Sequence, residues 1–151
     1  MECYSAEPTP PKSITEKSII DADAVGDAIR RAVKRSATST SEVAIAISGD
    51  AAITKVIQMP GGLSDNELES RVEIQADQYI PFPMDEVSFD FQVMGESQND
   101  PELLDILLVA TRTENVDQRR AAVEAAGLIP RVVDIEAFAL ENACALMTHQ
   151  M

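Results

Sequence analysis

The most constraining feature of the sequence is a nearly continuous apolar run from Leu103 to Thr111. A segment with apolar side chains on both faces is typical of a strand in the interior of a sheet. A membrane span needs about 18 residues or more, and no hydrophobic run in the sequence reaches that length. We therefore predict a central β-strand over this run, with the other elements arranged around it.

Four further segments have the patterns of β-strands. They are Glu42–Ser48, about 52–59, Val87–Met94 and Arg131–Ile135. The first is apolar on both faces, which predicts an interior strand. Gly49-Asp50 is a turn signal that leads from the first of them into the second, which ends at Pro60.

Apolar residues at helical spacing predict four helices. The first, about 22–35, follows the N-cap Asp21, and the second, about 65–79, opens with a capping box of Ser64 and Glu67. Asn115 with Gln118 predicts the start of the third helix. Gly127 predicts its end, because glycine readily adopts the left-handed conformation at a helix C-terminus. The last helix carries an apolar stripe on which Cys144 is predicted to be a packed thiol: Ala137, Leu140, Cys144 and Met147.

The order of these elements mixes hairpins with helical crossovers. This mixture predicts an α+β protein, with mixed sheets and helices packed on them. The N-terminal segment 1–18 contains Pro8, Pro10 and Pro11, which predict an extended connector. Cys3–Ala6 is the one part of this segment that could form an edge strand.

The charge of the chain excludes some classes of partner. Twelve basic and 26 acidic residues give a formal net charge of −14. A field of that sign repels phosphate backbones and anionic lipid surfaces, so we expect neither nucleic-acid binding nor direct membrane insertion. No signal-peptide pattern precedes the first elements, and we expect a cytoplasmic protein.

The inventory of chemically active residues is small. Two cysteines at opposite ends of the chain and a single histidine, His149, cannot provide the four ligands of a structural zinc site. The sequence contains no GxSxG, HExxH, GxxxxGK[ST] or GxGxxG motif. Acidic pairs such as Asp65 with Glu69 are expected on the solvated helix faces of so acidic a chain. We therefore predict no catalytic residue, no metal ligand and no cofactor-binding residue.

Gly61-Gly62 is the one glycine pair that precedes a helix. It has no lysine, serine or threonine at the spacing of a phosphate-binding P-loop. We interpret it as a flexible entry to the second helix.

A partner-binding surface is the remaining candidate site. Tyr79, Ile80, Phe82 and Met84 surround two prolines at the exit of the second helix. Prolines stiffen such a segment and lower the entropy cost of ordering it on a partner, and aromatic residues and methionine are enriched at interfaces. We place further contacts on the preceding strand, at Ile53, Lys55 and Ile57. The alternative explanation is that these side chains only complete the core.

Three segments together resemble a known family: Ala52–Pro60, Glu73–Pro83 and Val133–Leu140. They are similar to segments of the PilM family, the actin-like proteins of type IV pilus assembly, and they occur in the family's order and at similar spacings. The resemblance extends over nearly the whole chain. It implies the FtsA-like branch of the actin superfamily, with residues 19–112 as its inserted small subdomain and 113–151 as a partial return to the first core subdomain.

The resemblance also implies cofactors and partners. Intact family members bind ATP and magnesium between two halves of the fold, through two phosphate loops that have no counterpart in this sequence. We therefore expect a fragment of the first half that takes no cofactor. The implied partner is the N-terminal cytoplasmic segment of the inner-membrane protein PilN, and homo-oligomers through an exposed strand or a swapped element are expected.

Three classes of function follow. The leading one is a cytoplasmic protein-interaction module of a pilus-assembly scaffold, held at the inner-membrane face through its partners and without enzymatic activity. The alternative is an actin-like ATPase, which the intact parent could be. A small-molecule binding domain is the third class, and no convergent polar cluster supports it.

Overall fold

The computed structural model describes residues 3–149. Its strands are β1 (Ile14–Thr15), β2 (Ser18–Ile19), β3 (Glu42–Ile47), β4 (Ala52–Pro60), β5 (Val87–Glu96), β6 (Leu103–Arg112) and β7 (Ile129–Ile135). Its helices are α1 (Ala22–Ser36), α2 (Asp65–Tyr79), α3 (Thr113–Ala125) and α4 (Glu136–His149). The mixture of sheets and helices confirms the predicted α+β class.

The chain divides into two compact units. The first comprises the described residues up to Gly49 together with those from Glu114 onward, and the second is Asp50–Thr113. The predicted subdomain boundary at 112/113 lies one residue from this division, whereas α1 and β3 lie in the first unit. The assignment of 19–112 to one inserted subdomain stays a prediction.

In the first unit, β3 and β7 form a parallel two-stranded sheet. The pairing runs from Glu42 opposite Ile129 to Ile47 opposite Ile135, with a register shift after Val43. Two sequence predictions are wrong here. β3 has only one strand neighbour among the described residues, so it is not an interior strand, and it does not form a hairpin with β4. A short 3-10 turn at Gly49–Ala51 instead carries the chain into another sheet.

Helix α1 has the predicted ends. The Asp21 carboxylate accepts a hydrogen bond from the Ala24 N–H at 3.0 Å, and Ala37 ends the helix in the left-handed conformation with φ of 57°. The basic residues of the last turns are solvated and face Glu7, which lies 2.9 Å from Arg35 and 3.6 Å from Arg31. Cations at this end of a helix are favourable because the helix dipole places partial negative charge there.

The N-terminal segment contacts the rest of the first unit through ion pairs such as those of Glu7. Cys3–Ala6 forms no strand, so the predicted edge strand is wrong. The two-residue strands β1 and β2 form a small antiparallel hairpin that the sequence analysis missed. Arg119 of α3 donates to the Ala46 carbonyl at 2.9 Å and to the Lys17 carbonyl at 3.4 Å, and so joins β3 to this hairpin.

Helices α1 and α3 approach each other closely at Gly26. A Cβ atom placed on Gly26 would lie 2.7 Å from the Cβ of Ala125 and 2.9 Å from the carbonyl oxygen of Ala122. These distances are shorter than van der Waals contact, so only glycine fits at this position without a shift of the helices.

The second unit is a three-stranded antiparallel sheet in the order β4–β6–β5, with α2 packed on one face. The predicted central strand is therefore confirmed as β6. Ile106 and Leu108 of β6 are buried against Val72 and Ala76 of α2, in a core that also contains Ile57. Residues of α2 four apart share one side of the helix, which explains why they meet the same face of the sheet.

The capping box of α2 is formed as predicted. The Glu67 N–H donates to the Ser64 hydroxyl at 3.4 Å, and the Glu67 carboxylate accepts from the Ser64 N–H at 3.0 Å and from its hydroxyl at 2.7 Å. These bonds, first the one from the hydroxyl and then the one from the N–H, hold the pKa of Glu67 below its ordinary value of 4.5. Arg71 adds a weaker effect in the same direction.

The two later helices differ from their predictions. α3 begins at Thr113, two residues before the predicted cap, and the Gln118 side chain accepts from the Ile19 N–H at 3.2 Å instead of completing a capping box. Gly127 follows α3 with a φ of 80°, as expected. In α4 the apolar stripe is not packed, because Leu140 and Met147 are exposed. Cys144 is exposed as well, so the prediction of a packed thiol is wrong.

We expect Gly26→Ala to destabilise the protein by about 1–3 kcal/mol, because the added methyl group forces α1 and α3 apart. Alanine is the better helix former by about 1 kcal/mol, so a loss of stability would isolate the clash. Chemical denaturation measures the change. Gly49→Ala is the matched control, since nothing lies within 4 Å of its Cβ position. Unchanged or higher stability of the Gly26 variant would contradict the close approach of the helices.

We expect Glu67→Ala to lower the melting temperature at neutral pH, and the difference from the parent protein to shrink in acid. The folded pKa of Glu67 is depressed, so its stabilising effect is present above the ordinary value of 4.5 and is lost as pH falls through the folded pKa. Melting curves between about pH 6 and pH 3 measure this. Glu69→Ala, an exposed change on the same helix, is the control, and a pH-independent difference for Glu67→Ala would reject the cap as its cause.

Candidate partner-binding surface

The candidate surface lies in the second unit and contains two pairs of a cation with an aromatic ring. The Lys55 ammonium is 4.4 Å from the centre of the Tyr79 ring, and the Arg112 guanidinium is 5.3 Å from the centre of the Phe82 ring. Both distances are within the range of an attractive cation–π contact. The rings are partly exposed, at 38% for Tyr79 and 37% for Phe82, so each pair has a side available to a partner.

The alternation of β4 explains the position of Lys55. Residues 53, 55, 57 and 59 point to the face that α2 covers, and Ile57 and Met59 are buried there. Lys55 points to the same face, and its ammonium reaches Tyr79, the last residue of α2. The C-terminus of a helix carries partial negative charge, which also favours a cation at this place.

The exit of α2 is shaped by its two prolines. The Ile80 N–H donates to the Ala76 carbonyl at 3.0 Å and ends the helix, and the Ile80 side chain is buried. Phe82 then lies between Pro81 and Pro83, where it meets Arg112. Arg112 also lies 3.8 Å from the Glu86 carboxylate, an exposed ion pair of the kind that contributes little stability.

A groove of about 570 Å³ lies beside β4. Val56, Ile57 and Gln58 of β4 line one side, and Gln75 and Tyr79 of α2 line another. The turn between β5 and β6 and one residue of β6 complete the lining: Ser97, Gln98, Asn99 and Asp105. Most of these side chains are uncharged and both donate and accept hydrogen bonds.

Gln58 organises the polar end of this groove. Its side-chain amide donates to the Ser97 hydroxyl at 2.8 Å and to the Asp105 carboxylate at 3.3 Å. Gln58 and Asp105 are directly opposite in the β4–β6 register, which places both on the face of the sheet away from α2. The sequence analysis missed this cluster, although Asp105, the one charge within the apolar run of β6, is a signal that could have found it.

The seven predicted contact residues fall into two groups. Ile57 and Ile80 are buried, so they support the surface from within and do not contact a partner directly. The other five are exposed or half-buried: Ile53, Lys55, Tyr79, Phe82 and Met84. Their role as partner contacts stays a prediction.

The described residues contain no arrangement typical of a catalytic or metal centre. No group of three or more His, Cys, Asp or Glu side chains among them could hold a metal ion. Every buried side-chain nitrogen or oxygen of residues 3–148 has a hydrogen-bond partner. The acidic pairs on α2, including Asp65 and Glu69, are solvent-exposed. No helix of the described chain combines the length and apolar character that a membrane crossing requires.

The first comparison with solved structures concerns a complex of the pilus machinery. The chain superposes on a chain of a PilM–PilN type IV pilus biogenesis complex with a TM-score of 0.81 and 31% sequence identity. The match covers 91% of this chain and 41% of that chain, so this chain spans about two fifths of its relative.

A second solved structure shares the fold at lower similarity. It is the cytoplasmic domain of EpsL, an inner membrane component of the type II secretion system of Vibrio cholerae. The TM-score is 0.54 at 16% identity, over 76% of this chain and 42% of that chain. At this identity the match is informative about the fold alone.

A family model agrees with the first of these matches. The model described as type IV pilus assembly protein PilM matches residues 1–151. The resemblance carried by the three sequence segments, and the actin-like α+β fold that it implied, are thereby confirmed. The chain belongs to the PilM family of type IV pilus assembly proteins.

Proposed function

We propose that this chain is a protein-interaction unit of type IV pilus assembly and that it binds a cytoplasmic segment of PilN. The observation that carries the proposal is the superposition on a chain of the PilM–PilN complex over 91% of the present chain. The family match over residues 1–151 supports a role in type IV pilus assembly.

The chemistry of the second unit suits protein binding. Tyr79 and Phe82 present partly exposed rings, and each ring is in contact with a cation, which lowers the side-chain entropy lost on binding. The two prolines of the exit segment restrict its backbone in the same way. Aromatic anchors of this kind dominate the binding energy of many interfaces.

The proposed unit acts without catalysis and without a cofactor of its own. Its setting is the cytoplasmic face of the inner membrane, reached through partners, since a chain of charge −14 is repelled by anionic lipids. We also propose that it self-associates. The exposed apolar side chains of α4, among them Leu140, Leu146 and Met147, form the surface that supports this.

We expect Tyr79→Ala and Lys55→Glu each to weaken binding of a peptide from the PilN cytoplasmic N-terminus by about tenfold, the loss typical of removing one anchor. Isothermal titration calorimetry measures the affinity. The melting temperature should change little, because an exposed cation–π contact contributes only about 0.5–1 kcal/mol. Tyr4→Ala, the same substitution at an exposed residue of the first unit, is the control. Parent-like affinity in both test variants would reject this surface as the binding site.

We expect no saturable binding of ATP with magnesium in a parallel titration. Gly61-Gly62 is a poor phosphate site because the Gly61 N–H already donates to the Glu102 carbonyl at 2.8 Å. The N-terminus of α2 is also occupied by its own acidic side chain, Glu67, which repels a second anion. Stoichiometric ATP binding would contradict the interaction-only function and favour a nucleotide-dependent one.

A further inference from the structure

The strand β4 has a regular edge without a strand neighbour. Among the described residues it pairs with β6 alone, and the nine pairs from Ala52 to Pro60 run without a register shift. Alternate residues of such a strand direct their N–H and C=O groups away from the sheet. These groups form a template for the addition of another strand.

The opposite edge of the same sheet is protected. On β5 the register shifts between Val93 and Gly95, and Gly95 has a φ of 128°. The Asp90 carboxylate accepts a hydrogen bond from the Phe91 N–H at 2.8 Å, so that N–H is already satisfied. A bulge and an occupied N–H both hinder the addition of a strand.

The usual protection of an edge by lysine is weakened on β4. A lysine on an edge strand normally discourages pairing by holding its charge beside the strand. Here the Lys55 ammonium lies over the Tyr79 ring on the side of α2. The edge beside Val56–Gln58 therefore opens directly into the groove.

The lining of the groove suits a peptide backbone. Gln58, Gln75, Gln98 and Asn99 carry amides, which donate and accept in the same way as main-chain groups. Asp105 is the one carboxylate among the lining residues. It accepts a hydrogen bond from a neutral amide, that of Gln58. A cationic side chain is the natural complement of that carboxylate.

We propose that an extended segment of a partner protein adds to β4 as a fourth strand, with a lysine or arginine side chain paired to Asp105. The charge of the chain favours this occupant over a second copy, because two chains of charge −14 repel each other whereas a basic segment is attracted. The inference rests on the proposed interaction function and adds to it the binding mode and the chemistry of the partner.

The groove borders the β4 residues 56–58. It lies away from Asp50 and Thr113, where the chain enters and leaves this unit.

The test uses a phage-displayed library of peptides of about ten residues, long enough to cover one strand. Selection on the parent protein should enrich basic peptides, and Asp105→Asn should weaken their binding about tenfold, the loss of one charge pair. Asp77→Asn, the same change at an exposed α2 residue outside the lining, should leave affinity unchanged. Enrichment without any basic preference, or equal affinity for the Asp105 and parent proteins, would overturn the proposal.

Two further measurements separate strand addition from other modes. Methylation of single backbone nitrogens in an enriched peptide should abolish binding at every second position only, because alternate N–H groups face β4. Hydrogen exchange should show peptide-induced protection of the β4 amides and none on β5. Tolerance of methylation at all positions would overturn strand addition. Protection of β4 that rises with protein concentration alone would identify a second copy as the occupant and would overturn the basic partner.

Titration with the PilN peptide tests the β4 site separately from the interaction function on which the proposal rests. Binding of that peptide with the same affinity to the Asp105→Asn variant, together with a failed library selection, would leave the interaction function standing and remove the β4 site. Absence of PilN binding, together with basic peptides that depend on Asp105, would remove PilN as the partner and keep the site.

Discussion

The contact between β6 and α2 is the interaction on which the second unit depends. Ile106 and Leu108 are almost completely buried, and so are Val72 and Ala76 on the helix. Among the described strands of this sheet, β6 alone pairs on both sides, so it joins β4 and β5 through its backbone. Burial of this apolar face is the dominant favourable term in the folding of such a unit, at about 25 cal/mol per Å².

The covered face leaves the rest of the second unit for binding. The core is filled by the facing sides of the sheet and α2, together with Ile80, so the outer edge of β4 and the rings of Tyr79 and Phe82 are not needed to complete it. Lys55 and Tyr79 are brought together there, and the polar residues around Gln58 form a groove beside the strand. The same layering that stabilises the unit thus determines which of its surfaces face solvent.

The first unit is held by different means. Its parallel sheet has two strands, and the elements around it are joined by Arg119 and by the close approach of α1 to α3 at Gly26. Several of its apolar side chains, among them Val132 and Leu140, remain exposed. A sheet of two strands is marginal by itself and needs other elements packed against it, which agrees with these additional ties.

The sequence by itself determined the features that depend on local interactions. The ends of α1 and α2 follow from caps within a few residues of the chain, and the apolar run of β6 identifies a central strand without knowledge of its neighbours. The family resemblance is likewise local, because it is carried by three short segments of the sequence. Tyr79 and Phe82 could be chosen as candidate contacts, because aromatic residues beside prolines are recognisable in a linear sequence.

Only the tertiary structure decided how distant segments meet. The pairing of β3 with β7, instead of with the adjacent β4, joins residues far apart in the chain, and no local pattern specifies that choice. The exposure of Cys144 likewise depends on whether another element covers α4, which its helical periodicity cannot reveal. The groove needs the opposition of Gln58 and Asp105 across two strands. The physical reason is the same in each case: strand pairing and burial are set by contacts between segments remote in sequence, whereas caps and periodicity act within a single turn or strand.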